Sequence, residues 1–160
     1  MNPYASFLGA QDPIQVLSTM PRRLEEIAAS LGESAINRKP HSNKWSAREI
    51  LVHLADTELT FGFRYRQALG EDNHVIQPFD QDRWARSYAV YGAQQALRTY
   101  AALRDWNLVL IRSLTPEQMS RPLRHPERGE MTLRTLVETA AGHDLNHLRQ
   151  LEALASHPAA

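Results

Sequence analysis

The stretch Thr132–Ala155, TLRTLVETAAGHDLNHLRQLEALA, decides the fold. Leu133, Leu136, Val137, Ala140, Leu148, Leu151 and Leu154 recur with the period of an amphipathic helix. His143 and His147 stand in the same stripe, at depths where a purely structural helix would place leucine. At about 100° per residue, His147 lies only about 40° around the helix from His143. Two imidazoles side by side in a core cannot both be charged cheaply, whereas two neutral ones can share a metal ion. Alone, the pair is a weak signal, because seven histidines produce on the order of 0.3 His-x3-His pairs by chance. Asp144 and Leu145 follow His143, so the glutamate of a metalloprotease HExxH is missing. A third ligand has to come from another helix.

Working outward, the remaining segments read as helices too. Residues 1–11 read as an irregular arm, with Pro3 and Gly9 as breakers. Asp12-Pro13 is a cap and first-turn proline opening a first helix toward Leu31-Gly32, with a kink expected at Pro21. Residues 37–41 read as a loop. Ser46-Ala-Arg-Glu49 has the form of a capping box, with Trp45 placed as a hydrophobic staple. It predicts a second helix to about Leu69 whose inner stripe is Ile50, His53, Thr57, Phe61 and Arg64 or Tyr65. Residues 70–92 are long for a bundle connection, which usually takes roughly 2–8 residues. They carry Phe79, Trp84, Tyr88 and Tyr91, and part of the segment reads as helical around Asp82–Tyr88. A third helix is predicted from about Ala93 to Leu114, with Leu97, Tyr100, Ala101, Leu103, Leu108 and Ile111 toward the core. Thr115-Pro-Glu-Gln118 predicts one capped turn, and residues 120–131 a polar loop delivering Thr132 as the cap of the last helix. The expectation is an all-α four-helix bundle, one domain over 1–160, with a long loop between the second and third helices.

Composition narrows the function. The chain has 160 residues, 18 basic and 18 acidic, which argues against a protein built to coat nucleic acid. No run approaches the roughly 18 uninterrupted apolar residues of a membrane span. The N-terminus shows no basic region leading into an apolar run, so no secretory signal is expected and cytoplasm is the default. There is no cysteine, so disulfides, thiolate ligands and a cysteine nucleophile are all excluded. Any metal must be held by nitrogen and oxygen.

His53, on the inner stripe of the second helix between Ile50 and Thr57, is the third candidate ligand. With His143 and His147 it makes three imidazoles and leaves coordination positions open, as in reactive rather than structural zinc sites; nickel or another divalent transition ion would fit as well. His41, His74, His125 and His157 lie in loops or the tail and read as ordinary. No catalytic residue is assigned. Glu49, one turn before His53, is placed either to orient that ring or to serve its capping box. Asp56 and Asp144 are placed to hold water near a metal or to pair with arginines. Gln150 returns to the histidine stripe. Arg104 shares a face with Asn107 and is placed to receive a substrate carboxylate or to stay solvated. Trp84 and Tyr88 are placed to roof the pocket or to pin the loop.

The segments Trp45-Ser46…Glu49-Ile50-Leu51…His53-Leu54-Ala55-Asp56 and Phe79-Asp80-Gln81-Asp82-Arg83-Trp84, with Leu103-Arg104…Asn107-Leu108 and His143-Asp144-Leu145-Asn146-His147…Gln150, resemble the DinB-like (DinB/YfiT) superfamily. The resemblance covers nearly the whole chain from Asp12. It implies a four-helix bundle, a metal site on His53, His143 and His147, and a homodimer. It also implies relatives that act on small molecules with a low-molecular-weight thiol. Many such relatives carry a second histidine where this chain has Asn146, a position expected to project away from the pair. Three functions remain open at this stage. One is metal-dependent thiol transfer or isomerisation. The others are a metal-dependent hydrolase and a non-catalytic, stress-associated metal- or ligand-binding dimer.

Overall fold

Side-chain caps start three of the four long helices of the computed structural model, which describes residues 2–156, and the fourth begins at Gly92 without one. Asp12 accepts a hydrogen bond from the Ile14 amide at 2.9 Å and opens α2 (Pro13–Ala35). Ser46 and Glu49 form the reciprocal capping box of α3 (Ala47–Gly70), and Thr115 and Gln118 form that of the short α6 (Pro116–Met119). Thr132 accepts from the Thr135 amide at 3.3 Å and opens α7 (Leu133–Ser156), while α5 runs Ala93–Ser113. The α3 stripe predicted from periodicity faces inward, with Ile50, His53, Thr57, Phe61, Arg64 and Tyr65 all buried. On α5, Leu97, Tyr100, Leu108 and Ile111 are buried as predicted, whereas Ala101 and Leu103 are half-buried and Arg104 and Asn107 take the core side. On α7, Leu133 through Leu151 of the predicted stripe are buried as well.

α3 packs against α5 and α7, and α2 packs against the same two helices. The successive helices α2 and α3 are therefore diagonal partners, and α7 returns beside α3, which places the two histidine-bearing helices in contact.

Three expectations change. Helical backbone angles persist through Pro21, and the interruption falls at Gly32 (φ 71°). Pro21 has no N–H for the Leu17 carbonyl one turn earlier; Arg104 from α5 donates to that carbonyl at 3.0 Å instead, so the lost bond is replaced rather than left to bend the helix. The arm is not wholly irregular, because α1 (Ala5–Leu8) packs on α7. Its seat is Gly142, where an added Cβ would lie within 2.5 Å of the Tyr4 carbonyl oxygen. Residues 120–131 hold an antiparallel hairpin, β1 (Pro122–His125) and β2 (Gly129–Thr132), with Gly129 at φ 76° in the turn region. Leu123 and His125 point inward between exposed Pro122 and Arg124, a period-two pattern that two prolines and many charges obscure in the sequence. The 70–92 segment is fastened at one end to this hairpin by the Val75–Arg124 bridge. As its composition predicts, it is partly helical, with α4 (Gln81–Ala85) and a 3-10 turn (Tyr88–Val90). Among the described residues no helix is long and apolar enough to cross a membrane. His157 lies outside the described residues.

Candidate metal centre

α3 delivers His53, and α7 delivers His143 and His147, to one point in the core. Each offers a ligand nitrogen within 4.8 Å of the others, and all three residues are buried. The Nε2 atoms of His53 and His143 are 3.1 Å apart. Ring centroids lie 4.7 Å apart for His53 and His147 and 4.5 Å for His143 and His147.

The outward nitrogens fix which lone pairs face inward. The Tyr88 hydroxyl oxygen lies 3.3 Å from His53 Nδ1, beside the Asp56 carboxylate whose charge acts on it. A carboxylate accepts more strongly than an imidazole nitrogen, so with the Tyr88 hydrogen turned toward Asp56 it is Nδ1 that carries the His53 proton and Nε2 that is bare. Nδ1 of His147 lies 3.2 Å from Gln150 Oε1, which can only accept, so its Nε2 is bare too. Nδ1 of His143 is buried without a hydrogen-bond partner, 3.8 Å from Asp144 Oδ1. Neither tautomer suits His143. With the proton on Nδ1, its bare Nε2 opposes the bare Nε2 of His53; with the proton on Nε2, a bare Nδ1 faces the Asp144 carboxylate. A cation between the Nε2 atoms removes the conflict. Tetrahedral bonds of about 2.0–2.1 Å would space the nitrogens by roughly 3.3 Å, close to the separation seen. The three residues fit a divalent ion.

The surroundings keep the imidazoles neutral, as metal binding requires. Burial, then the fields of His143 and His147, push the His53 ring down to about 2; burial and His143 push His147 down to about 3. Burial and the Asp56 carboxylate push the Tyr88 hydroxyl well above its usual range. Behind His143 lies a second buried cluster. Arg104 donates to Glu58 Oε2 at 2.6 Å and to Asp144 Oδ2 at 2.8 Å, and Tyr100 donates to the same Asp144 oxygen at 2.7 Å. Asn107 donates to Glu58 Oε1 at 2.8 Å. Burial alone would raise the Asp144 carboxyl, but the guanidinium and its other partners hold it at about 2. Two carboxylates against one guanidinium leave negative potential behind the histidines, which favours a cation there.

The remaining candidates separate clearly. Glu49 does not orient His53, because its carboxylate accepts from the Ser46 amide at 2.8 Å and pairs with Lys39 at 2.9 Å. Arg104 is neither solvated nor open to substrate; it is 1% exposed and held on all sides. Asp56 reaches the trio only through Tyr88. Trp84 packs against Phe79 with ring centroids 4.7 Å apart, while Tyr88 touches His53. His74 is bonded to Glu71 at 2.6 Å and His125 sits inside β1, both buried away from the trio.

Two aromatics assigned other roles by the sequence stand at the site. Trp45 is more than a staple: its ring lies 4.8 Å from His53 and is stacked at 6.4 Å on His147. Tyr4, from the arm, meets His143 edge-on at 5.3 Å. Trp45 adjoins the α3 cap in sequence and could have been found there; no sequence signal points to Tyr4. A cleft of about 730 Å³ opens beside the trio, lined by Tyr4, His41, Lys44, Trp45, Asn146 and His147 among others. Asn146, expected to project away, is thus a cleft residue, and Gln150 lines the same wall.

A helical bundle with three convergent imidazoles beside an open cleft defines the class: a four-helix-bundle protein with a core site suited to a divalent metal. The chain belongs to the DinB superfamily, whose sequence profile matches residues 17–151. A relative from Oceanobacillus iheyensis, named "Putative metal-dependent hydrolase OB0782", is 29% identical over 142 residues, covering 88% of this chain and 83% of its own. The Bacillus subtilis protein "Putative metal-dependent hydrolase YfiT" is 25% identical over 144 residues, covering 88% and 81%. The solved structure of YfiT from Bacillus subtilis superposes with a TM-score of 0.84 at 23% identity, covering 91% of this chain and 85% of that one; it is described as having "an unusual four-helix bundle topology". A DinB-like protein from the same organism gives a TM-score of 0.63 at 16% identity, covering 90% and 91%.

Proposed function

We propose that this chain is a metal-dependent enzyme that activates a low-molecular-weight thiol for attack on a small electrophile, with zinc or nickel held by His53, His143 and His147. One observation carries it: three imidazoles present inward nitrogens beside a cleft of about 730 Å³, the size of small-molecule sites. A divalent ion held by three neutral imidazoles keeps an open position and lowers the pKa of a thiol or water placed there. The chain's own groups bind and orient. Trp45 offers a flat apolar wall, Lys44 a cation, and Asn146 and Gln150 amides. The carboxylates nearest the trio are already engaged: Asp144 holds Arg104 and Tyr100, Glu49 holds its cap, and Asp56 lies against the Tyr88 hydroxyl. A nucleophile that ionises on binding needs none of them as a base, and a chain without cysteine takes its sulfur from a cosubstrate. The working unit is a homodimer, a reading supported by the family and by Phe63, Trp106 and Val109 left exposed on α3 and α5.

The names of the relatives favour a second reading, hydrolysis by activated water. Zinc- and nickel-loaded protein, incubated with a panel of small thiols and an epoxide or alkyl halide, separates the two by mass spectrometry. The sulfur–carbon bond forms as the thiol proton leaves, and the halide departs or the epoxide oxygen takes a proton. Thioether formation that disappears in His143→Ala supports thiol transfer. Metal-dependent cleavage of esters or amides without thioether overturns it in favour of hydrolysis. Neither activity, with metal bound, overturns both.

A further inference from the structure

We propose that Tyr88 is a positioning residue of the metal centre, and that Arg48 sets it there by gripping the backbone of the turn that carries it. The inference rests on the trio being a metal site. Tyr88 comes from neither histidine-bearing helix. It sits in the 3-10 turn that closes the long 70–92 connection, yet is 1% exposed, with its hydroxyl 3.3 Å from His53 Nδ1 and within the field of the Asp56 carboxylate. A nearby carboxylate draws a hydroxyl hydrogen more strongly than an imidazole nitrogen does, so the Tyr88 hydrogen turns to Asp56 and its oxygen is left to accept from Nδ1–H. That chain of donors selects the His53 tautomer whose bare Nε2 faces His143 and His147. Gln150 does the same for His147, but from within α7, four residues' span from its partner; His53 depends on a distant segment being in place.

Arg48 supplies the hold. Its Nη1 donates to the carbonyls of Tyr88 at 2.6 Å and Tyr91 at 3.0 Å, and its Nε donates to Asn37 Oδ1 at 3.1 Å. Arg48 lies in the first turn of α3, the helix that carries both Asp56 and His53. One helix thus grips the turn by its backbone and receives its side chain at the metal ligand. Tyr91, on the same turn, is 40% exposed and does not touch the trio, which makes it the natural control.

Partners of metal-bound histidines typically change metal affinity by about 10–100-fold when removed. Zinc dissociation constants from chelator competition, on wild type, Tyr88→Phe, Arg48→Met, the double variant and Tyr91→Phe, test the proposal. Tyr88→Phe is expected to weaken binding within that range and Tyr91→Phe to leave it unchanged. Arg48→Met is expected to weaken binding in the wild-type background but to add little once Tyr88 is Phe, because both act through one hydroxyl. In the metal-free protein, nitrogen-15 imidazole shifts are expected to show one Nδ1–H tautomer at His53 in wild type and a mixture in Tyr88→Phe. Asp56→Ala is the second variant: its freed hydroxyl donates to Nδ1, moves the proton to Nε2 and weakens zinc without altering the tyrosine. Zinc affinity unchanged in both Tyr88→Phe and Asp56→Ala overturns the proposal while the metal reading stands. A wild type that takes up no zinc overturns both.

Discussion

Two polar clusters lie back to back in the core of this bundle, and only one of them is complete. The Arg104 cluster satisfies itself: the guanidinium meets Glu58, Asp144 and the Leu17 carbonyl, with its carbon centre 4.7 Å over the Tyr100 ring. The histidine trio, whose His143 immediately precedes Asp144 on α7, does not, since inward nitrogens face one another and His143 Nδ1 has no partner. Buried polar groups are normally paired. A cluster that closes on itself fastens helices together, whereas one left open among neutral imidazoles marks the place for a ligand. Gly62 belongs to the closed cluster, since a Cβ there would lie 2.6 Å from the Asn107 amide that braces Glu58.

The contrast is broken most forcefully at Arg104. Replacing Arg104 with Met leaves Glu58, Asp144 and the Leu17 carbonyl buried without their donor, an expected loss of about 3–5 kcal/mol in urea unfolding. A loss below about 1 kcal/mol would mean that the cluster does not hold the helices as described. Acid is the next lever. His53 and His147 titrate near 6.5 when unfolded and at about 2 and about 3 when folded. Between those values the unfolded chain holds protons that the folded chain lacks, so stability of the metal-free protein is full above about 6.5 and falls as pH drops toward 3. Each histidine contributes a slope of about 1.4 kcal/mol per pH unit, and His53→Leu should remove part of it; a flat profile from pH 7 to 4 would contradict the burial of neutral rings.

Gly142→Ala tests the arm. The methyl group meets the Tyr4 backbone, so about 1–3 kcal/mol should be lost, and a protease should cut the chain near Tyr4 faster than in wild type. The smallest effect carries the opposite sign. His53→Leu in the metal-free protein replaces a ring whose inward nitrogen opposes that of His143 with an apolar core side chain, and is expected to leave thermal stability unchanged or raised by less than about 1 kcal/mol. The same variant should lose metal. A strong loss of apo stability would place the trio with Arg104, as a structural cluster.

Much of this was legible in the chain. The i, i+4 spacing of His143 and His147 and the Ile50–His53–Thr57 stripe placed three imidazoles on inward faces, and helix packing did the rest. Arg104 was misjudged, though its phase was visible: it follows Leu97 and Tyr100 on the core side of α5, at i+7 and i+4. Periodicity reports which way a residue faces, but not whether a buried charge finds partners, and Glu58 and the carbonyl freed by Pro21 are distant in sequence. The hairpin was hidden because only Leu123, His125 and Met131 of its residues point inward. Tyr4 and Tyr88 reach the site from connections, where no period constrains orientation.

Elemental analysis after zinc or nickel reconstitution tests the central claim most directly, with wild type set beside His53→Ala, His143→Ala and His147→Ala. One equivalent of metal per chain in the wild type, and substantially less in each variant whose circular dichroism remains helical, is the predicted result. No stoichiometric metal in the wild type, or full retention in all three variants, would contradict it.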